Sequence, residues 1–191
     1  MPFAKGRNEM QASIDDTASA LVLLTNEIES YYSQKISELS FQIEKIRKDN
    51  LNEAPEVLHC MESPNTNINW IYDEMHENTL EMLLCKVYSY VEKHMEALLK
   101  RIPLTGKKAR KAYKGEGVSD IEKYYAVLKE KYNLQKQNVT DIWKDYEKFH
   151  ELRKGIVHRY NYDRDTITAN YILSNIEQAK ALLNYIEDNT R

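Results

Sequence analysis

LEMLLCKVYSYVEKHMEALLKRIP, residues 80–103, carries the pattern that decides the fold. Apolar side chains fall at Leu80, Leu83, Leu84, Val87, Val91, Met95, Leu98 and Ile102. The steps are threes and fours, the repeat of one face of an α-helix, and Pro103 ends it because proline has no N–H to continue the ladder. The stripe predicts a helix from about residue 67 to Arg101. Its length and its Glu and Lys residues mark it as a half-buried bundle helix, and no stretch of the chain reaches the roughly 18 apolar residues that span a bilayer.

The same period governs the residues on either side. Upstream, Ile14, Ala18, Leu21, Leu24, Ile28 and Tyr31, then Ile36, Leu39, Ile43 and Ile46, trace a long first helix that starts near Ser13, with no Pro or Gly between Asn8 and Ala54. Its narrow stripe predicts a helix that projects beyond a compact core or pairs with another helix. Residues 50–66, with Pro55, Pro64 and several Asn, read as a loop holding one short helix. Downstream, Ser119 and Glu122 form a capping box for a third helix to about Tyr132. A fourth runs from about Asn138 to Tyr160. A fifth runs from Ile167 to about Asp188, behind the turn Asp163-Arg164-Asp165-Thr166. The expected fold is all-α, an antiparallel bundle of about five helices with a long N-terminal helix. The expected division is 1–66, long helix plus loop, and 67–191, the bundle proper, read as one continuous domain.

Composition narrows the function. With 5 Gly and 4 Pro, the chain is too poor in turn residues for a β-sandwich or barrel and holds no Gly-rich phosphate loop. A hydrophobic fraction of 42% beside 30% charge fits a folded chain. The net charge of −3 argues against electrostatic wrapping of a duplex, so any nucleic-acid contact is local. Cys60 and Cys85 are too few for a zinc site or disulfide framework. The five His form no metal-ligand spacing, and His94, in the apolar stripe, reads as a hydrogen-bonded core histidine. No metal or cofactor is expected. The opening residues lack the apolar run of a secretory signal, and a cytoplasmic location without membrane association is expected.

Two stretches carry candidate chemistry. Between Lys100 and Lys114 there is no acidic residue, and Lys107, Lys108, Arg110 and Lys111 are suited to an RNA backbone or to a solvated linker. The second stretch is FHELRKGIVHRY, residues 149–160. On an ideal helix, Ile142, Tyr146, Phe149, Arg153, Ile156 and Tyr160 share one side. A guanidinium in an apolar stripe costs several kcal/mol unless a carboxylate or an anion meets it. It therefore marks either an internal ion pair or a cleft where an anion arrives. His158 lies about 140° round the same helix. Either Gly155 loosens the turn between them, or two copies of the helix meet across a two-fold axis and each supplies its Arg and His to a shared groove.

Arg153 and His158, with Ile156 and Val157 between them, resemble the R-x-x-x-x-H motif of HEPN domains, the higher-eukaryote and prokaryote nucleotide-binding family. With Tyr160 the pattern becomes R-x-x-x-x-H-x-Y, similar to HEPN toxins partnered with a minimal nucleotidyltransferase antitoxin. The segment around Tyr88-Ser-Tyr-Val-Glu92 is similar to the family's earlier core helix, and the likeness extends over about 67–188. Lys154 stands where the family often has a polar residue such as Asn, and the stretch at 100–118 is an insert relative to the short toxins.

The resemblance implies a metal-independent endoribonuclease, a toxin or anti-phage defence effector, acting on RNA as a homodimer with a composite active site. His158 would be the general acid or base, since an imidazole exchanges protons near neutral pH. Arg153 would hold the scissile phosphate. Supporting roles fall to His150 and Lys154 at the phosphate, Tyr160 as a stacking or modifiable residue, and Glu92 as an orienter of Arg153. The alternatives are a non-catalytic HEPN-like RNA-binding or protein-assembly module, and a purely structural bundle whose long helix is its working surface.

Overall fold

The computed structural model of the chain describes residues 2–101, 120–134 and 145–190, with side chains from residue 9 except at 120, 122 and 146. Among them the fold is an all-α antiparallel bundle: α1 (Pro2–Asp49), α2 (Pro55–Leu99), α3 (Asp120–Tyr132), α4 (Tyr146–His158) and α5 (Ala169–Asn189), with a 3₁₀ turn at Arg164–Thr166. No described helix is long and apolar enough to cross a membrane.

α1 and α2 form a long antiparallel hairpin, and α2 packs against each of the other helices. The expected loop at 50–66 is the main correction. The connection is only 50–54, and α2 begins at Pro55, so residue 66 lies inside a helix. Pro55 occupies the first turn, where its missing N–H removes no bond. Pro64, read from the sequence as a breaker, sits within the helix. Nearby, the bidentate pair from Arg47 of α1 to Glu62 (2.8 and 3.0 Å) holds this turn against its neighbour.

The core gathers at one end of the hairpin. Ile14 and Ala18 of α1, Leu84, Val87 and Val91 of α2 and Ile172, Ile176 and Leu183 of α5 are fully or almost fully buried there. Ile121 and Leu128 of α3 and Phe149 and Leu152 of α4 close it from the far side of α2. Tyr90 donates from its buried hydroxyl to the carbonyl of Ile14 at 3.2 Å. His94 is hydrogen-bonded as expected, with Nδ1 2.8 Å from the Tyr90 carbonyl and Nε2 3.4 Å from the Ser13 hydroxyl, but it is half-buried at the edge of the core and not inside it.

Beyond this core the hairpin projects alone. Between residues 28 and 73 every described side-chain hydrogen bond stays within α1, α2 and their connection. The seam of α1 also differs in detail. Thr25 and Tyr32 are the buried residues, whereas Leu24 and Tyr31 are exposed. Thr25 satisfies its hydroxyl by donating to the Leu21 carbonyl at 2.8 Å.

The remaining helix ends differ from expectation by a few residues. α5 is capped by Thr168, whose hydroxyl accepts from the Tyr171 amide at 3.1 Å. α3 is followed by Asn133 at φ 53°, a left-handed position that asparagine tolerates. The capping box at Ser119, the start expected for α4 near Asn138 and the basic stretch with Lys107, Lys108, Arg110 and Lys111 lie outside the described residues.

Where α2 ends, Arg101 donates 2.8 Å bonds to both carboxylate oxygens of Glu187 on α5, and Glu187 is almost fully buried. Removing one member leaves the other unpaired. Arg101→Met alone is expected to lower stability to urea by about 1–3 kcal/mol, less than a fully buried pair because Arg101 is partly solvated. Arg101→Met with Glu187→Leu is expected to recover most of that loss.

Candidate functional site

α4 is pressed onto α2 by Phe149 and Leu152, both buried. This fixes its rotation, and Arg153 comes to lie half-buried against α2. Its guanidinium carbon is 4.7 Å from the centre of the Tyr88 ring. Stacking on an aromatic face suits a planar, weakly hydrated cation. Among the described residues no carboxylate pairs with Arg153. Cys85, one turn before Tyr88, feels the same cation. Burial pushes its thiol up, and the nearby Arg153 pulls it part of the way back.

Tyr88 organises the rest of this contact. Its ring stacks on Phe149 with centroids 6.0 Å apart, and its hydroxyl lies 3.4 Å from Nδ1 of His150. His150 is thereby held at the α2–α4 contact, half-buried. Glu92 stands one turn further along α2, also half-buried, and no described ion pair joins it to Arg153.

His158 is placed differently. α4 stays helical through Gly155 to His158 and ends on Arg159 at φ 55°. The regular helix sets His158 about 140° from Arg153. His158 is exposed and stacks on the Tyr160 ring, centroids 5.7 Å apart. Arg153 and His158 therefore share a helix and face different directions within one chain.

Gly155 does not loosen the helix, as the sequence reading allowed. It makes room. A Cβ there would lie 2.8 Å from Cβ and Cδ1 of Tyr162. The returning segment crosses α4 at this point, and the Tyr160 amide donates to the Gly155 carbonyl at 3.0 Å. Lys154, Gly155, Tyr160 and Tyr162 then line a cleft of about 340 Å³ whose floor includes Leu152. Lys154 also faces Glu151 at 3.6 Å. Of the candidate residues, Lys154 and Tyr160 meet at this cleft, whereas Arg153, His150 and Glu92 lie on the α2 side.

The anchor of the returning segment was not anticipated. Tyr162 donates to Oε1 of Glu81 at 2.6 Å, and Nε of Arg164 donates to the same oxygen at 2.7 Å. Arg164 also meets Glu77 at 2.7 Å and Glu74 at 3.3 Å, and donates to the Asn78 side chain at 2.8 Å. The signal was present in α2: carboxylates at 74, 77 and 81 share one helix face with no cation among them. Among the described residues, no group of three or more His, Cys, Asp or Glu is arranged to hold a metal ion.

Two predictions follow from this crossing. Gly155→Ala forces the helix and the Tyr162 ring apart, and a loss of about 1–3 kcal/mol is expected in thermal or urea unfolding. The second concerns alkaline stability. Burial, reinforced by the bond to Glu81, pushes the Tyr162 hydroxyl up to about 12, and burial does the same for Tyr171. A folded value above the unfolded value of about 10 contributes stability that is complete below pH 10 and lost as the pH rises toward 12. Unfolding free energy measured between pH 9 and 12 is expected to fall, and Tyr162→Phe is expected to flatten that slope. No family model, no curated protein and no solved structure matches this chain, and its functional reading rests on its own residues.

Proposed function

We propose that this chain is a metal-independent endoribonuclease of HEPN type, working as a toxin or defence effector through a site shared by two copies. The observation that carries the reading is Arg153: a half-buried guanidinium, stacked on Tyr88, with no carboxylate partner among the described residues. A purely structural role would be favoured by an Arg153 fully buried in an ion pair with no groove beside His158; Arg153 is half-buried and has no carboxylate partner among the described residues. A cation in that setting is set up for an anion, and a phosphodiester matches its planar fork.

Chemistry follows from the two residue types. The ribose 2′-hydroxyl attacks the adjacent phosphorus as an imidazole takes its proton. The P–O5′ bond breaks, and an acid returns a proton to the leaving 5′-oxygen. The products are a 2′,3′-cyclic phosphate and a 5′-hydroxyl. His158 from each copy supplies one of the two proton transfers, and Arg153 offsets charge gained on the phosphoryl oxygens. Lys154 and Tyr160, at the cleft beside the α4 end, support binding of the flanking RNA. The 140° separation of Arg153 and His158 is the reason the site is assigned to two chains and not one.

A second reading has its own observation. The hairpin projects past the core with apolar residues exposed along it, which fits a non-catalytic RNA-binding or assembly module. One experiment separates the two. Single-stranded RNA is incubated with the purified chain in EDTA, and ends are mapped. The nuclease reading expects cyclic-phosphate ends, and His158→Ala and Arg153→Ala are each expected to slow their appearance by about 100-fold to 10,000-fold. RNA that is bound but stays intact, or cleavage equal in wild type and His158→Ala, rejects it.

A further inference from the structure

Along the first half of α2 the polarity of the helix is inverted. The stripe turned toward α1 carries Leu58, Glu62, Asn65, Asn69, Tyr72 and His76, then Thr79 and Leu83, all buried or half-buried. Their alternating steps of four and three are the seam of paired helices. Most of that seam is polar, and it closes through hydrogen bonds: Glu62 accepts from Arg47 at 2.8 Å, Nε2 of His76 lies 2.9 Å from Glu29, and the Thr79 and Tyr32 hydroxyls are 3.5 Å apart.

One residue earlier at each step runs a second seam with the same spacing, about 100° round the helix. Its residues are Val57, Met61, Ile68, Ile71, Met75 and Met82, with Pro64 and Asn78 at the two remaining positions. Every one of these eight positions is exposed. The six large apolar side chains range from 42% exposure at Ile68 to 66% at Met82. A regular apolar heptad stripe has thus been built on the side of α2 that its hairpin partner does not cover.

We infer that this stripe is a self-association surface, paired antiparallel with the same stripe of a second copy of the chain. Two features commit it to that occupant. First, the repeat persists over about 38 Å of helix, so the surface fits a helix and not a short peptide or a loop. Second, a two-fold contact sets a surface against itself, so charge in its centre would be repelled by its own copy; residues 63–72, SPNTNINWIY, contain no Asp, Glu, Lys or Arg.

Symmetry also gives the register. An axis midway between Ile68 and Ile71 sets Ile68 opposite Ile71, Pro64 opposite Met75, Met61 opposite Asn78 and Val57 opposite Met82. Each layer then contains at least one large apolar side chain, and the two hairpins stack as a four-helix layer. The axis, between Ile68 and Ile71, lies about 28 Å along α2 from Tyr88, although the Asn78 end of the stripe adjoins Arg164 and Tyr160; the inference does not rest on the ribonuclease reading.

Sedimentation of the full chain between 1 and 100 µM tests it. Wild type is expected to self-associate, and Ile68→Glu with Ile71→Glu is expected to weaken association at least about 100-fold while helical circular dichroism is retained. Met75→Lys with Met82→Lys, at one end of the stripe, is expected to weaken it as well and serves if the first variant misfolds. Association of wild type that both variants break supports the surface. A chain that stays monomeric at 100 µM, or an assembly that neither variant weakens, overturns it. RNA cleavage by the Ile68→Glu/Ile71→Glu chain, measured in parallel, separates failure of this surface from failure of the nuclease site.

Discussion

One half-cylinder of a single helix constrains the whole bundle. Between Leu80 and Leu99 the buried residues of α2 (among them Leu84, Tyr88, Tyr90 and Met95) spread over about 180° of its circumference. A single neighbouring helix covers a stripe of about 100°. This arc therefore needs partners on several sides, and α1, α3, α4 and α5 all pack against α2. Candidate site and core are consequently inseparable. The burial of Phe149 that seats α4 on α2 also turns Arg153 onto the Tyr88 ring.

What the sequence made legible, and what it hid, follows from the range of each interaction. The stripe from Leu80 to Leu98 was readable because helical period is local and burial there is one-sided. Pro64 was misread because a proline's cost of about 3 kcal/mol is visible in sequence, whereas compensating contacts made by α1, such as Arg47 with Glu62, are not. Leu24 and Tyr31 were placed inside on hydrophobicity, yet the seam of α1 advances by threes and fours to Thr25 and Tyr32. Tyr32 is held there by His76, whose ring stacks on it at 5.2 Å. Arg153 stood out because a charge in an apolar stripe is a local anomaly. Its partner Tyr88, 65 positions earlier, could not be named without the fold.

Tyr88 and Glu81 divide the work on the face of α2 that meets α4. Tyr88 accepts a cation by its ring and meets a histidine by its hydroxyl, and Arg153 is held there without a carboxylate partner among the described residues. Glu81, two turns earlier, takes the opposite part. It gathers Tyr162 and Arg164, and with Glu77 and Glu74 it neutralises that arginine fully. Two arginines thus lie near one helix in contrasting states. Arg164 is saturated and immobilises the segment that follows α4. Arg153 keeps its in-plane donors unspent among the described residues, which on the proposed reading is what an arriving phosphate requires.

The projecting hairpin shows the same separation of roles at larger scale. A seam of Glu, Asn, Tyr and His fixes register well, because each bond is satisfied in one alignment only, yet contributes little net stability. Asn69 illustrates the cost, since its Oδ1 is buried without a hydrogen-bond partner among the described residues. An isolated two-helix hairpin with such an interior depends on its attachment to the core for stability, and that attachment ends near residues 28 and 73. The apolar surface that would normally close the hairpin has instead been placed one position away, facing outward. Polar groups inside select the alignment of α1 with α2, and on the inference drawn above the apolar residues outside contribute their burial to association. Moving that burial from the hairpin's interior to its surface makes the order of the projecting half depend on protein concentration, a coupling that a conventionally packed hairpin would lack.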